Sequence, residues 1–260
     1  MDERIMILCS DGAHHKYLIN ELINKFNVTG VVIEPYNKQI KHKLHKKQYV
    51  NYFYMNYHTF RRKIMGYTHY RNKYFSFTPK NENNSPKVMT IEVNNINDDV
   101  VKNFVKEKKP NIVIIMGTSI IKQETLSVLG DIIINIHGGY LPDYKGNHCF
   151  FFALYNRDYG KIASTIHFVN SGIDTGDIIE RIHPVLTPRD NAETLYCKAE
   201  KEAITRLIKI IEDFKNDKPF HREKQSYNGK LYLARDRKPY HELFMLIKKI
   251  KIIKEIKNYE

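Results

Sequence analysis

Residues 131–146, DIIINIHGGYLPDYKG, predict a buried strand that runs into a glycine-rich loop. Because side chains alternate along a strand, Asn135 and His137 lie on one face at its end, with Ile136 on the other. The carboxyl ends of the strands are where ligands bind in a wound α/β sheet. The following glycines let backbone approach a ligand, and Pro142 stiffens the loop. This strand end is therefore a candidate site.

Strand and helix patterns alternate on both sides of this stretch, beginning with a β-α-β unit. The alternation predicts an α/β fold with a Rossmann-like, mostly parallel sheet. We expect Asn97 to cap one of the helices and residues 138–147 to form a long loop. The predicted strands are 4–9, 30–34, 88–93, 111–116, 131–136, 161–169 and 177–185, and the predicted helices are 14–26, 98–108, 122–129, 148–156 and a long one that ends at 214.

Two segments depart from this alternation. Residues 37–79 are dense in Lys, Arg, His and Tyr and predict a basic, mostly helical insertion, with a polar loop at 80–87. We expect a catalytic domain over 1–212 and a short C-terminal extension over 213–260. The basic end of that extension favours a docked amphipathic helix over a membrane-surface helix.

Composition narrows the class of protein. The hydrophobic fraction of 42% is enough for a sizeable core, and no apolar run approaches the length of a membrane span. The N-terminus lacks the form of a signal peptide, and three widely spaced cysteines favour small buried residues in a reducing cytoplasm over disulfides or metal ligands. The net charge of +13 predicts either anionic partners or a lysine-rich solvated surface.

A carboxamide and an imidazole on one face suit acyl transfer. Asn135 can donate to a developing oxyanion, and His137 can accept a proton from an attacking amine. The best carboxylate partner is Asp174, in the turn 171-SGIDTGD-177 between two strands. Each motif alone is more often structural, since Gly and Asp are ordinary turn residues. Their combination carries the functional interpretation.

In this order and spacing the motifs resemble the folate-dependent formyltransferases over roughly residues 4–212. That family carries Asn-x-His-x-x-x-Leu-Pro-x-x-x-Gly, a later strand with a His, and an Asp-x-Gly turn. The matching residues are Asn135, His137, Leu141, Pro142, Gly146, His167, Asp174 and Gly176.

The resemblance implies a domain that binds 10-formyltetrahydrofolate as co-substrate and uses no metal. It implies catalytic roles for Asn135, His137 and Asp174. It also implies cofactor contacts from two segments, which comprise Gly117, Thr118, Ser119, Ile120 and Ile121 in the first and Gly172, Ile173 and Thr175 in the second.

Differences from related subfamilies narrow the range of substrates that could accept the formyl group. Residues 10–15, SDGAHH, lack the Gly/Ser-rich phosphate loop of glycinamide ribonucleotide formyltransferases. Too little chain follows Phe214 for the C-terminal barrel of methionyl-tRNA formyltransferases. Residues 146–148 and 172–177 resemble the sugar N-formyltransferases of surface-polysaccharide pathways, whose substrate is a nucleotide-linked, commonly dTDP-linked, amino sugar.

We therefore expect a cytoplasmic N-formyltransferase for a nucleotide-linked amino sugar, with a homodimer mediated beyond residue 212 as an option. The expected substrate contacts are Tyr144, Lys145, Asn147 and His148. Nucleic acid is not the expected partner. The alternatives are a methionyl-tRNA formyltransferase-like enzyme, whose turn resembles GIDTGDII, and a non-enzymatic basic RNA-binding relative.

Overall fold

A mixed sheet forms the centre of the computed structural model, which describes residues 3–77 and 88–257. Seven strands within these residues have the order β3-β2-β1-β4-β5-β7-β8, and β6 and β9 form a separate pair. The strands are β1 Ile5–Cys9, β2 Val28–Ile33, β3 Thr90–Glu92, β4 Ile112–Met116, β5 Ile132–His137, β6 Tyr144–Gly146, β7 Ser164–Phe168, β8 Ile178–Ile182 and β9 Lys230–Tyr232.

Helices cover both faces of this sheet. They are α1 Ala13–Ile23, α2 Tyr36–His45, α3 Tyr49–Ile64, α4 Tyr67–Tyr74, α5 Asp99–Lys108, α6 Gln123–Leu129, α7 Cys149–Asn156, α8 Ala192–Lys215 and α9 Pro239–Lys257. Successive side chains of β1 pack into opposite layers: Ile7 joins the cluster with α1 and α8, and Leu8 joins the cluster with α5 and α6. Burial on both faces explains the uninterrupted isoleucine-rich strands.

The strand order explains where a crevice forms. Strands β1 to β5 are parallel, and the chain winds outward from β1 in one direction and returns through β4 in the other. Such a reversal opens a crevice at the carboxyl ends of the strands. Strand β7 is antiparallel to both β5 and β8. Its pairing with β5 places His167 opposite Asn135. The predicted α/β, Rossmann-like, mostly parallel sheet is confirmed.

The basic insertion is helical, as predicted, and comprises α2, α3 and α4. Helix α3 lies against the segment at 234–236 and against α4, and α4 contacts α1 and α8. The insertion therefore covers the carboxyl-end side of the sheet. The polar loop predicted at 80–87 lies outside the described residues.

The segment after α8 folds back onto the rest of the chain. Strand β9 pairs in parallel with β6, and Ile252 and Ile256 of α9 are buried in one cluster with the phenylalanines of α7. Several residues on the other side of α9 are exposed, among them Ile247 and Ile250. The described helices include none that is both long and apolar enough to cross a membrane.

Several local predictions differ from the structure, among them the following four. Helix α5 starts after Asp98, not Asn97, whose side chain binds the backbone of Ile120 and Lys122 instead. The strand predicted at 88–93 is reduced to β3, and that at 161–169 begins with a 3-10 turn and reaches β conformation only at Ser164. The loop predicted at 138–147 contains β6, which pairs with a strand too far along the chain for local patterning to indicate.

Candidate active site

Asn135 and His167 meet across the β5–β7 pair. The Asn135 carboxamide Nδ2 donates to His167 Nε2 at 3.0 Å, while His167 Nδ1 donates to the Phe168 carbonyl at 2.7 Å. Burial lowers the pKa of His167 to about 4, although Asp174 opposes the shift. His167 is therefore neutral near pH 7, and its hydrogen bond orients the carboxamide and leaves the second Nδ2 hydrogen for a ligand.

His137 and Asp174 form the second half of the site. His137 Nε2 donates to the Tyr144 carbonyl at 2.9 Å, so a proton that the ring takes up goes to Nδ1. That nitrogen lies 3.4 Å from Asp174 Oδ2. Burial opposes ionisation of Asp174, but the two histidines, the Gly146 N–H and Lys145 together lower the pKa of its carboxyl. Asp174 is therefore placed to compensate a proton gained by His137.

The turn after β7 fixes the position of Asp174. Its φ is +52°, an uncommon value for a residue with a side chain, and its Oδ2 accepts from the Gly146 N–H at 2.9 Å. A Cβ at Gly176 would lie 1.8 Å from the Phe168 carbonyl oxygen, so the Asp-x-Gly pattern needs glycine there. Gln225 Nε2 donates to the carbonyls of both Asp174 and Gly176. A residue of the C-terminal extension thus stabilises the turn that holds Asp174.

These side chains line a cavity of about 1660 Å³ at the carboxyl ends of β1, β4 and β5. Its walls also come from the insertion, from the N-terminal ends of α7 and α8, and from α9. The predicted residues that line it are Asn135, His137, Asp174, Gly117, Thr118, Ser119, Ile120, Ile121, Gly172, Ile173, Asn147 and His148.

Three predicted contacts lie elsewhere. Tyr144 is 3% exposed, donates to Asp158 and stacks on Tyr232, and Lys145 Nζ donates to Asn228 Oδ1. Thr175 donates to Asn170 Oδ1 within its own turn. None of the three lines the cavity, so this geometry gives no support to direct ligand contacts from them.

The loop at 117–121 is held from three sides. Glu34, which has no exposed surface, accepts from the Ser119 N–H at 2.7 Å, and Gln39 Nε2 donates to the Gly117 carbonyl. Asn97 binds the Ile120 carbonyl. This loop and the turn at 170–174 border the cavity, as do the apolar residues Met116 and Val169. This part of the cavity therefore combines apolar side chains with fixed backbone polar groups, as small-molecule sites do.

Sequence reasoning missed several residues of the cavity wall. His14 and His15 are buried after β1, and His14 Nδ1 and His15 Nε2 lack hydrogen-bond partners within the described chain. Their adjacency at a strand's carboxyl end was an available signal. Glu200 of α8 accepts from Ser164 Oγ, and burial raises its pKa to about 7. Nothing local distinguishes Glu200 from its helix, since only tertiary contact brings it to the cavity.

The arrangement can bind a carbonyl group and accept one proton. Asn135 offers a donor for an oxygen that gains negative charge, and His137 with Asp174, both largely buried, can accept a proton. In the part of the chain that the structure describes, no three His, Cys, Asp or Glu side chains cluster as metal ligands. The geometry matches transfer of an acyl-type group to a nucleophile.

Comparison with known proteins agrees with this chemistry. Formyltetrahydrofolate deformylase 1 of Arabidopsis thaliana is 34% identical over 127 residues, which are 47% of this chain and 38% of the relative. Methionyl-tRNA formyltransferase of Francisella tularensis subsp. novicida is 28% identical over 154 residues, which are 57% of this chain and 48% of the relative. The chain thus spans less than half the length of these relatives.

Solved structures share the fold. An N-formyltransferase from Helicobacter canadensis, in complex with folinic acid and dTDP-3-aminofucose, superposes with a TM-score of 0.54 at 17% identity, over 90% of this chain and 72% of that chain. At that identity the match shows the fold alone. A model of the formyl transferase family matches residues 4–211 and so includes Asn135, His137 and Asp174. Its extent and the geometry of the site together show that this chain belongs to the formyl transferase family.

Proposed function

We propose that this chain transfers the formyl group of 10-formyltetrahydrofolate to the amine of a nucleotide-linked amino sugar, of which dTDP-linked sugars are the first candidates. The observation that carries the proposal is the joining of Asn135 to His167 and of His137 to Asp174 on one wall of the cavity. Family membership supports the formyl group as the transferred unit.

The formyl donor supplies an activated one-carbon unit when bound. The residues that would hold it are those of the 117–121 loop and the 170–174 turn, beside the catalytic side chains. Asn135 then donates to the formyl oxygen as charge develops there, a contribution of about 10²–10³ in rate for one such donor. Nδ1 of His137 accepts the amine proton as the amine nitrogen bonds to the formyl carbon, and the Asp174 carboxylate compensates the positive charge of the ring. His137 then returns that proton to the folate nitrogen as the bond between this nitrogen and the formyl carbon breaks.

The amino-sugar acceptor has two supports. The Helicobacter canadensis protein, which binds dTDP-3-aminofucose, covers 90% of this chain in superposition. The cavity is also large enough to admit a second ligand beside the folate. Cytoplasmic location and a homodimer remain predictions.

A methionyl-tRNA formyltransferase-like activity is the second candidate, favoured by the Francisella relative and by the net charge of +13. A panel assay separates the two. The full chain is supplied with 10-formyltetrahydrofolate and, in turn, dTDP-linked 3-amino and 4-amino sugars, charged initiator tRNA, or no acceptor. Formylation of a dTDP-amino sugar is expected. Formylation of the tRNA alone, or formate release without an acceptor, would overturn the proposed acceptor.

A further inference from the structure

Three arginines from two segments that are distant in sequence line the cavity. Arg61 and Arg62 belong to α3 of the insertion, and Arg237 precedes α9 of the C-terminal extension. Arg61 and Arg237 are only 8% and 7% exposed. We call these residues the arginine cluster. None of the catalytic contacts described above involves it.

The arginine cluster has more positive charge than nearby carboxylate can neutralise. Arg237 occupies both oxygens of Glu242, with Nε to Oε1 at 2.7 Å and Nη2 to Oε2 at 3.1 Å. Nη1 of Arg61 lies 3.4 Å from the same Oε1 without a hydrogen bond. Nε of Arg61 is buried and also lacks a hydrogen-bond partner among the described residues. Glu242 thus faces two buried guanidinium groups, and the next carboxylate, Glu193, is already paired with Arg71.

Arg62 adds a third cation without a carboxylate. Its guanidinium lies over the Tyr36 ring, 5.3 Å from the centroid, and no ion pair involves it within residues 3–77 and 88–257. Burial and the neighbouring Arg61 lower the pKa of Arg237 to about 10, which still leaves it charged near neutral pH. Buried charges without partners are costly, so a group of the opposite charge is expected to complete them.

The arginine cluster lies near the segment at 146–148, which contacts Asp174. The His58 ring, one turn before Arg61 on α3, lies 4.2 Å from the ring of His148, which itself lines the cavity. His148 comes two residues after Gly146, whose N–H binds Asp174. The arginine cluster and the catalytic carboxylate are therefore on the two sides of one short segment.

We propose that the arginine cluster is a phosphate-binding subsite, which holds the diphosphate of the acceptor through Arg61 and Arg62 of the insertion and Arg237 of the extension. Guanidinium groups present paired donors that match phosphate oxygens. The diphosphate brings two negative charges, on oxygens that accept hydrogen bonds, and these are what the cluster lacks. This inference rests on the proposed function for the acceptor, and it gives the basic insertion a role in acceptor specificity.

The carboxylates of the folate tail are the competing occupant. They would enter with a ligand whose ring is proposed to bind at 117–121 and 170–174. The two occupants differ in which ligand loses affinity when the cluster is changed, so direct binding measurements distinguish them. Binding also needs no turnover, which separates this inference from the proposed catalysis.

The experiment compares the wild-type chain with Arg61→Gln and Arg62→Gln by titration calorimetry. The probes are dTDP, inorganic pyrophosphate and 5-formyltetrahydrofolate, and Lys63→Gln, exposed on the same helix, is the matched control. A charge-assisted hydrogen bond lost in either variant should weaken dTDP and pyrophosphate binding about ten- to a hundredfold. The affinity for 5-formyltetrahydrofolate should not change, and Lys63→Gln should match wild type for every probe.

The outcomes separate the possible failures. Unchanged dTDP and pyrophosphate affinity in both arginine variants, or a loss confined to 5-formyltetrahydrofolate, would overturn the subsite. Absence of dTDP binding by wild type together with arginine-dependent tRNA binding would overturn it too. Arginine-dependent dTDP binding without formylation of any sugar would leave the subsite standing and refute the proposed function. Arg62→Gln protects the test against misfolding of Arg61→Gln, because Arg62 is only partly buried.

Discussion

The proposed catalytic edge, formed by the ends of β5 and β7, differs from the arginine cluster in how its buried polar groups are partnered. At the ends of β5 and β7, Asn135, His137 and Asp174 each have a protein partner within 3.5 Å. In the arginine cluster, Nε of Arg61 has no hydrogen-bond partner among the described residues. The first region is organised before any ligand binds, as electrostatic catalysis requires. The second is, on our proposal, completed by the ligand itself.

The largest expected effect comes from removing the carboxamide at the organised edge. Asn135→Ala deletes the proposed oxyanion donor and should lower kcat about 10²–10³-fold, with the fold retained. Steady-state formyl transfer and thermal unfolding would measure the two quantities. Asn51→Ala on α3, whose side chain donates to Gln48 alone among the contacts described, should keep wild-type rates. A wild-type kcat in Asn135→Ala would remove Asn135 from the mechanism.

A somewhat smaller loss of kcat is expected when the charge of the Asp174 side chain is removed but its shape is kept. Asp174→Asn can still accept the Gly146 N–H, so the turn should persist. The protonated His137 ring loses its counter-charge, and kcat should fall about 10²-fold. The kcat–pH profile checks this assignment. If kcat of Asp174→Asn stayed within twofold of the wild-type value at every pH, Asp174 would be a structural residue only.

The sequence was most informative where function and strand geometry coincide. Residues 131–137 predicted the buried strand and its two facing side chains, because an isoleucine run followed by glycine is a strong local pattern. The β6–β9 pair was not predictable, since its two short strands are distant in sequence and lack alternation. For the same reason, the sequence did not single out Arg61 and Arg237 as residues of a site. Each is one of many basic residues until tertiary packing buries it.

A weaker effect is expected at the loop that bounds the proposed folate site. Glu34→Gln can keep the acceptor for the Ile96 N–H but places an NH2 group against the Ser119 N–H. The loop at 117–121 should shift, and KM for the formyl donor should rise about tenfold with a smaller change in kcat. Glu107→Gln, on the exposed face of α5, is the control. An unchanged KM for the formyl donor would show that this loop does not contribute to folate binding.

The smallest effect near neutral pH concerns the pH dependence of stability in the two regions. Burial lowers the pKa of His58 to about 4, as it does for His167, from a reference value of 6.5. Between these values the folded protein binds fewer protons than the unfolded chain. Stability is therefore full above pH 6.5 and is lost as the pH falls toward 4, by at most about 1.4 kcal/mol per pH unit for each histidine.

Urea unfolding at several pH values measures that slope. His58→Gln can still donate to the Ala234 carbonyl, and it should flatten the slope between pH 6.5 and 4 by up to one proton. His45→Gln, exposed on α2, should leave the slope as it is. An unaltered slope in His58→Gln would show that the insertion opens before the imidazole titrates.

Single-turnover formyl transfer tests the central claim most directly. Excess enzyme is mixed with 10-formyltetrahydrofolate carrying an isotopically labelled formyl group and with a dTDP-amino sugar, and labelled product is quantified for wild type and His137→Ala. The account predicts labelled N-formyl sugar from wild type and a rate at least about 10²-fold lower from His137→Ala, with both proteins folded. Equal rates from the two proteins, or no labelled sugar from wild type with any amino sugar tested, would contradict it.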